Sequence, residues 1–191
     1  GTYKKGGFLY MVETKVAPMT FKLVGEVKFN KSRTHRYELM ITWKQPAKKL
    51  AMVITNYPGQ SDGVVMDLTT MLVVNQVNAL GFDGVVMVNL FSKLGLKGHP
   101  KELIEGTDSV TDQVILLVAN DVSQIIIATG SFPKQNILAA ERQAEIIDSI
   151  KKAGFEKKLV FLCDSTGKLA HPLAAKVRQH WILNEKEMET H

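Results

Sequence analysis

The sequence is poor in the features that disulfide-rich, metal-binding and membrane proteins need. Its 191 residues include one cysteine, Cys163, which leaves no partner for an internal disulfide or a multi-cysteine zinc site. The longest apolar runs, such as residues 85–90 and 114–119, are far shorter than the roughly 18 residues of a membrane-spanning helix. No secretory leader pattern opens the chain. We therefore expect a cytoplasmic protein without a membrane partner.

Short motifs of the common nucleotide-binding and hydrolytic enzymes are also missing. The sequence contains no GxGxxG, Walker or GxSxG signature. Its five histidines do not show the HxH or HxxxH spacing of zinc sites. We therefore expect neither a metal site nor a bound cofactor.

The chain does have an uneven distribution of charge. Residues 1–49 hold 11 Lys and Arg against 3 Asp and Glu, whereas residues 50–191 hold 13 against 16. Four of the basic residues stand close together in the sequence: Lys28, Lys31, Arg33 and Arg36. Such a cluster can bind the phosphate backbone of a nucleic acid. The alternative is that these charges keep the edge strands of a hairpin soluble.

The first 45 residues have the alternating pattern of β-strands. Polar and apolar side chains interleave over residues 7–12, 21–29 and 36–43, which predicts three half-buried strands. We expect a single domain over residues 1–191. Its parts are an N-terminal antiparallel β segment (residues 1–45), an α/β core (residues 46–183) and a frayed tail (residues 184–191).

From residue 50 onward, short apolar runs alternate with helix-length segments. The runs are residues 50–55, 84–91, 124–128 and 158–163, and helices are predicted at residues 67–78, 107–119 and 134–153. Asp67 is the expected N-cap of the first helix, and Gly81 is expected to end it. Continuous β-branched runs are typical of parallel strands that are covered on both faces. The sequence therefore predicts a three-layer α/β/α sandwich with a mainly parallel central sheet.

Polar segments follow the four predicted strands of this core. They are residues 56–63, 89–93, 129–132 and 164–167, with His171-Pro172-Leu173 shortly after the last. In an open parallel sheet, ligands bind beyond the carboxyl ends of the strands. We therefore expect these segments to converge on one rim and to form a single polar pocket.

Each candidate on this rim also has a structural interpretation. Asn56 either binds a ligand through its amide or satisfies its own loop, and Asp67 is either a catalytic base or only a helix cap. Asn89 interrupts an apolar run, so its amide needs a dedicated partner. Phe91 either stacks on a flat ligand or belongs to the core. His171 has an imidazole that can donate to a developing negative charge or transfer a proton near neutral pH.

Four stretches of the chain together resemble a known family. They are residues 52–62 (MVITNYPGQSD), the helix start Asp67-Leu68-Thr69, residues 84–91 (GVVMVNLF) and His171-Pro172-Leu173. In order and spacing they resemble the family of unknown function numbered 1643, over roughly residues 36 to 175. The chain departs from that pattern at three places: Tyr57 separates Asn56 from Pro58, Thr129 precedes Gly130 where the family tends to have Trp, and Ala170 stands where an Arg is usual.

The pattern of this family is similar, more distantly, to that of the uracil-DNA glycosylase superfamily. That likeness implies a strand order of 2-1-3-4 in the core sheet and a pocket that takes a base out of a nucleic acid. It implies that the loop from Asn56 to Asp62 positions a water molecule and that Asn89 reads the edge of a base. It also implies that Phe91 stacks on this base, that His171 stabilises the departing base anion, and that the basic first segment contacts the phosphate backbone.

The sequence thus supports one leading hypothesis and two alternatives. The leading hypothesis is a polar pocket that binds a nucleobase, a nucleotide or a nucleic acid, with hydrolytic, glycosylase-like chemistry. Its predicted catalytic residues are Asp62, Asp67 and His171, and its predicted ligand-binding residues are Asn56, Tyr57, Pro58, Thr69, Asn89, Phe91, Gly130 and Pro172. The alternatives are a non-catalytic binding or scaffold protein and a metabolic enzyme that acts on a small polar substrate.

Overall fold

The computed structural model describes residues 14–59 and 66–186 in full, together with the backbone of Thr2–Lys5 and Phe8–Met11. The strands are β1 (Thr2–Lys5), β2 (Phe8–Met11), β3 (Val24–Phe29), β4 (Arg36–Thr42), β5 (Leu50–Thr55), β6 (Gly84–Asn89), β7 (Gln124–Ile127), β8 (Leu159–Cys163) and β9 (Ile182–Asn184). The helices are α1 (Leu68–Ala79), α2 (Pro100–Leu103), α3 (Thr111–Asp121), α4 (Phe132–Gln135) and α5 (Ile137–Lys152). Among the described residues, no helix has both the length and the apolar character that crossing a bilayer requires.

Seven of the strands form one mixed sheet, in the order β3-β4-β6-β5-β7-β8-β9. Strand β5 pairs in parallel with β6 and with β7, and β7 pairs in parallel with β8. The pairs β3–β4, β4–β6 and β8–β9 are antiparallel. Strands β1 and β2 pair with each other in a separate antiparallel sheet. The mixed α/β class is confirmed, but the prediction of a mainly parallel sheet is wrong.

The order of the whole sheet also differs from the predicted 2-1-3-4. The four strands predicted for the core are neighbours at the centre, as β6-β5-β7-β8, but β3 and β4 extend one edge and β9 extends the other. Strand β4 lies between β3 and β6 and is largely buried. The β segment that was expected to precede the core therefore supplies two strands to the core sheet, and Asn184, expected to be frayed, ends a strand.

Alternate residues of the central strands pack against helices on opposite faces of the sheet. Met52 and Ile54 of β5 belong to a buried cluster with side chains of α3 and α5. Ala51 and Val53 of the same strand belong to a second cluster with side chains of α1. This period of two is what a strand buried on both faces requires. It leaves the ends of the strands as the place where polar side chains can gather.

The helix boundaries follow from capping side chains. Asp67 caps α1 as predicted, because its Oδ1 accepts a hydrogen bond of 2.8 Å from the backbone N–H of Thr70. The predicted helix over residues 107–119 instead begins at Thr111. The predicted helix over residues 134–153 is divided at Asn136, which has an extended backbone. The Oδ1 of Asn136 accepts from the backbone N–H of Ala139 at 3.2 Å and so starts α5 as a separate helix.

Candidate functional site

A cavity of about 310 Å³ lies at the edge of the sheet where β5 and β6 end and β4 begins. We call it the rim cavity. It is lined by Arg36, Thr55, Asn56, Tyr57, Pro58, Gly59, Asp67, Thr69, Thr70, Met87, Asn89, Phe132, His171 and Leu173. The antiparallel direction of β4 brings its first residue to the same edge as the carboxyl ends of β5 and β6. Residues from distant parts of the sequence therefore meet at one site.

Asn56 follows β5 directly and is 9% exposed. Its Nδ2 donates a hydrogen bond of 2.9 Å to the backbone oxygen of Thr129, at the end of the neighbouring strand β7. This bond fixes the amide, and Thr129 is held in turn by a short hydrogen bond from its hydroxyl to Gln143. Among the described residues, the Oδ1 of Asn56 has no hydrogen-bond partner. The wall of the cavity thus carries a buried acceptor for which the described part of the chain supplies no donor.

Asn89 ends β6, next to β5 in the sheet, and it is buried. Its Nδ2 donates a hydrogen bond of 2.7 Å to the hydroxyl oxygen of Thr55. Thr55 and Asn89 are directly paired in the parallel register of the two strands. The expected dedicated partner of Asn89 is therefore its cross-strand neighbour, and this bond holds the side chain at the cavity wall.

Asp67 and Thr69 line the cavity from the first turn of α1. The Oδ1 of Asp67 is the cap of the helix, whereas its Oδ2 lies against Gly59, where a Cβ atom would be only 2.0 Å away. The absence of a side chain at Gly59 lets the carboxylate approach the loop after β5. The structural interpretation of Asp67 as a helix cap is confirmed, and its place on the cavity wall leaves the catalytic prediction standing.

Arg36 reaches the rim cavity because β4 carries a bulge. Lys28 pairs with Glu38, but the next residue of β3, Phe29, pairs with Arg36. Tyr37 is therefore an extra residue on β4. Because side chains alternate between the two faces of a strand, one extra residue turns Arg36 to the face opposite Glu38. The bulge thus directs a guanidinium toward Asn89 and the cavity.

The environment of Arg36 differs from the one that the sequence predicted. Arg36 was expected in an exposed basic patch, yet it is 2% exposed and lies on the cavity wall. Burial lowers the pKa of its guanidinium, and the Asp67 carboxylate acts in the opposite direction. An arginine remains cationic under these conditions. The rim cavity therefore contains a buried positive charge.

The other three residues of the predicted basic patch remain at the surface. Lys31 and Arg33 are exposed in the turn between β3 and β4. Lys28 forms a salt bridge of 2.6 Å with Glu38, and the guanidinium of Arg33 lies 5.0 Å from the centre of the Phe29 ring. Their predicted role in contacting a nucleic-acid backbone stays a prediction.

His171 is positioned by a tight loop after β8. The Oδ1 of Asp164 accepts hydrogen bonds from the Thr166 hydroxyl at 2.5 Å and from the backbone N–H groups of Thr166 and Lys168 at 2.8 and 3.2 Å. This turn sends the chain back along β8, where the backbone N–H of Ala170 bonds to the strand. The next residue, His171, lies against Gly130 and lines the rim cavity.

Gly130 lets His171 pack directly over the end of β7. Its φ angle is +64°, in the region that favours glycine. A Cβ atom at this position would lie 2.9 Å from both the Cβ and the backbone N of His171. Gly130 and the buried Pro172 are not among the residues that line the cavity. Gly130 instead supports the residue that does.

The protonation of His171 follows from its contacts. The backbone N–H of Leu173 donates a hydrogen bond of 3.1 Å to its Nδ1, so this nitrogen is an acceptor and carries no proton. Burial lowers the pKa of the imidazole, which favours the neutral ring. The proton of a neutral ring then resides on Nε2. His171 therefore presents an Nε2–H donor near neutral pH.

The aromatic wall of the cavity is formed by Tyr57 and Phe132. Their rings meet edge to face, with centroids 5.9 Å apart and planes inclined at 79°. Tyr57 was predicted as a ligand-binding residue, whereas Phe132, in the segment 129–132 that was expected on the rim, was not. Phe91, the aromatic residue predicted to stack on a base, is 3% exposed and packs in the core against Gly106. The structure does not bring Phe91 to the cavity.

The structure thus brings together most of the predicted site. Eight predicted residues line the cavity: Arg36, Asn56, Tyr57, Pro58, Asp67, Thr69, Asn89 and His171. Asp62, a predicted catalytic residue, lies outside the described residues. The described part of the chain has no group of three or more His, Cys, Asp and Glu side chains that could hold a metal ion.

A second group of polar side chains lies next to Arg36 in the structure. We call it the Asp108 cluster, and it consists of His35, Tyr37, Ser92, Asp108 and Thr111. The hydroxyls of Tyr37 and Thr111 donate to the Asp108 carboxylate at 2.5 and 3.1 Å. The Ser92 hydroxyl bonds to His35 Nδ1 at 2.8 Å and to the Thr111 hydroxyl at 2.7 Å. The backbone oxygen of Ser92 also accepts from the N–H of Arg36 at 2.9 Å.

The carboxylate at the centre of this cluster is stabilised by its donors. Burial opposes ionisation of Asp108. Hydrogen bonds from Tyr37, Val110 and Thr111 outweigh it and hold the pKa of the carboxyl below its usual value. Burial, together with this carboxylate, raises the pKa of Tyr37 to about 12. The Asp108 cluster is therefore an ionised carboxylate with a neutral phenol beside it.

The structure is that of a mixed α/β protein with a cavity at the carboxyl ends of its central parallel strands. A family model matches residues 36–173, and its description is protein of unknown function (DUF1643). Because this match covers more than half of the chain, the protein belongs to that family. The match begins at Arg36 and ends at Leu173, so it includes every residue that lines the cavity.

Two further comparisons gave no match, either among curated proteins or among solved structures. The likeness to the uracil-DNA glycosylase superfamily is therefore not confirmed.

Proposed function

We propose that the rim cavity binds a nucleobase, either free or as part of a nucleotide or nucleic acid. The observation that carries this proposal is the Oδ1 of Asn56, a buried acceptor on the cavity wall without a donor among the described residues. Leaving such a group unpaired costs about 1–3 kcal/mol. The ring N–H and amino groups along the edge of a base are donors of the kind that this oxygen lacks.

The size and composition of the cavity support the same class of ligand. A volume of about 310 Å³ is at the lower end of the range of small-molecule sites, which is about 300–1,000 Å³. Tyr57 and Phe132 supply apolar ring surface, and Met87 and Leu173 add aliphatic surface. Stacking of a base on an aromatic side chain is worth about 1–3 kcal/mol. The cavity therefore combines apolar ring surface with hydrogen-bonding groups.

Hydrolysis of an N-glycosidic bond is the reaction that these side chains support best. In that reaction water adds its oxygen to C1′ of the sugar, the C1′–N bond breaks, and the base leaves with the bonding electron pair. The Nε2–H of His171 donates to the departing base. The Asp67 carboxylate, which lies on the same cavity wall, accepts the proton that the water loses.

A ligand panel on the intact protein tests this proposal. Uracil, cytosine, adenine and guanine, their nucleosides, and DNA duplexes that contain each base are added one at a time. Binding is measured by calorimetry and by the rise in melting temperature, because a ligand that prefers the native state stabilises it. Release of free base is measured by chromatography. If no member of the panel binds and none loses its base, the proposal is wrong.

Asn56→Ala separates the rim cavity from any other binding surface. We expect it to weaken base binding about ten-fold, which corresponds to the loss of one hydrogen bond of about 1.4 kcal/mol. Asn120→Ala is the matched control, since Asn120 is an exposed asparagine on α3. If both variants weaken base binding equally, or if neither variant weakens it, the result contradicts a site at Asn56.

The same panel decides between the two other classes of function. Stabilisation by small polar metabolites, but not by bases or nucleosides, favours a metabolic enzyme. A non-catalytic binding or scaffold protein predicts that Asn89→Ala and His171→Ala change only the melting temperature. Base binding that depends on these residues without any base release favours a binding protein that recognises nucleobases.

A further inference from the structure

We infer that the ligand of the rim cavity is a free nucleoside monophosphate, with its phosphate at Arg36 and its base between Asn56 and His171. This rests on the proposed function and names the class of ligand. It begins from the positions of three side chains across one edge of the sheet. Arg36 starts β4, Asn56 follows β5, and His171 packs over Gly130 at the end of β7.

The strand order sets the distances between these groups. From β4 the sheet continues through β6 and β5 to β7. Neighbouring strands lie about 4.8 Å apart, so the ends of β4 and β7, which are three steps apart in the sheet, are separated by roughly 14 Å, and the end of β5 lies about 5 Å from that of β7. A base alone spans less than half of this length. A base with its sugar and one phosphate spans it.

The two ends of the cavity differ in chemistry in the way that a nucleotide does. The His171 end carries the aromatic pair of Tyr57 and Phe132, the acceptor of Asn56 and a neutral imidazole. The β4 end carries the guanidinium of Arg36, and the first turn of α1, with Asp67, lies close enough to interact with it electrostatically. A guanidinium and a helix N-terminus both favour an anion. Asp67 is the opposing charge at this end, and one of its oxygens caps α1.

The burial of Arg36 favours a free nucleotide over a base in a polynucleotide. Arg36 is 2% exposed, so the phosphodiester backbone of a duplex, which stays outside the cavity, does not reach it. A terminal phosphate that enters the cavity with its base does reach it. Lys31 and Arg33, which remain exposed nearby, lie outside the cavity.

A second buried arginine provides the comparison that the experiment needs. Arg142 on α5 is 8% exposed, donates from Nε to the backbone oxygen of Leu90 at 2.7 Å, and forms a two-point ion pair with Asp112. Arg142 does not line the rim cavity. Arg142→Met therefore removes a buried arginine that serves packing and an ion pair. Arg36→Met removes a buried arginine that, whatever its contacts within the protein, also lines the rim cavity.

The test compares each nucleoside with its 5′-monophosphate on the intact protein. Uridine, cytidine, adenosine, guanosine, their 5′-monophosphates and inorganic phosphate are titrated into the wild type, Arg36→Met, Arg36→Lys and Arg142→Met. We expect at least one 5′-monophosphate to bind the wild type about ten-fold or more tightly than its nucleoside, since charged hydrogen bonds are strong. This ratio should fall to about one in Arg36→Met. It should be retained in Arg142→Met and be intermediate in Arg36→Lys.

The outcomes separate this inference from the proposed function. If nucleosides bind the wild type as tightly as monophosphates, or if the ratio survives in Arg36→Met, the inference is wrong and the proposed function stands. Tighter binding of a base-containing duplex than of the monophosphate also overturns the inference. Binding of inorganic phosphate as tight as that of every monophosphate overturns it as well, because the base then contributes nothing. If Arg36→Met does not fold, Arg36→Lys decides: a ratio below that of the wild type supports the inference, and an unchanged ratio overturns it. If no base-containing ligand binds, the proposed function itself is wrong.

Discussion

The rim cavity and the Asp108 cluster lie on either side of the same short stretch of chain. They differ in how completely their buried polar groups are hydrogen-bonded. In the Asp108 cluster the hydroxyls of Tyr37, Ser92 and Thr111 and the Asp108 carboxylate each take part in at least one hydrogen bond. In the rim cavity, by contrast, the Oδ1 of Asn56 has no partner among the described residues.

This difference separates a structural role from a binding role. A buried polar group that is fully paired stabilises the fold, whereas an unpaired one destabilises it by about 1–3 kcal/mol. The Asp108 cluster is explained by stability alone, because it ties the start of β4 to the beginning of α3. For the Oδ1 of Asn56 the described residues supply no donor, and a ligand in the rim cavity would provide one. Variants in the two regions should therefore differ in what they lose.

Gly130→Ala should produce the largest effect, because it breaks the support of the rim cavity. The new Cβ would lie 2.9 Å from two atoms of His171, in a backbone region that alanine adopts with strain. We expect a loss of about 3 kcal/mol in the free energy of unfolding, from strain and the displaced loop together. Urea denaturation measures it, and base binding should be lost as well.

Gly154→Ala is the matched control for this change. Gly154 has a φ angle of +88° and would have no heavy atom within 4 Å of a new Cβ. It should therefore show only the cost of the left-handed backbone, about 1 kcal/mol. Equal losses for the two variants would mean that the contact between Gly130 and His171 contributes nothing.

Asp108→Ala should come next and should reduce stability while sparing ligand binding. It removes the acceptor of Tyr37, Thr111 and the Val110 backbone N–H, and we expect a loss of about 2 kcal/mol. Because the folded pKa of Asp108 lies below the unfolded value, its stabilisation is full above that unfolded value and is lost as the pH falls through the folded pKa. The variant should therefore show a shallower loss of stability in acid.

Asp148→Ala is the control, because the Asp148 carboxylate does not stand at the centre of a hydrogen-bonded cluster. Asp148 is largely exposed and pairs with Lys152 on the same helix, so the expected change is about 0.5 kcal/mol or less. A loss of base affinity in Asp108→Ala as large as that in Asn56→Ala would erase the distinction between the two regions.

The sequence predicts much of the site because strand ends can be recognised from apolar runs. Asn56 and Asn89 directly follow or end such runs, and Asp67 stands where a helix must begin. Parallel strands place their carboxyl ends at one edge, so these side chains converge whatever the details of packing. His171 was found through its proximity to the last strand and through the family pattern.

The sequence does not predict features that depend on pairing between distant strands. The bulge that turns Arg36 into the cavity comes from the register between β3 and β4, which leaves no local signal. The alternation over residues 36–43 predicts a half-buried strand in a separate segment. In the structure β4 is instead an interior strand of the main sheet, paired with β3 along one edge and with β6 along the other. The sequence also does not show that Phe132 lines the cavity while Phe91 is buried in the core. An aromatic residue at a strand end has equal apolar character in the core and in a pocket.

His171→Asn gives the smallest expected change in stability and sharpens the comparison through pH. Asparagine places Oδ1 close to the position of Nδ1, so it keeps the bond from Leu173 and loses the Nε2–H donor. The folded pKa of His171 is lowered from 6.5 by burial. Between pH 6.5 and the lower folded pKa, the unfolded chain binds more protons than the folded protein, so acidification reduces the stability of the wild type in that window.

His171→Asn should remove this dependence of stability on pH and abolish base release. His180→Asn, at an exposed histidine, should change neither. A wild-type slope that persists in His171→Asn would show that His171 is not the titrating group, and undiminished base release would remove its role as donor.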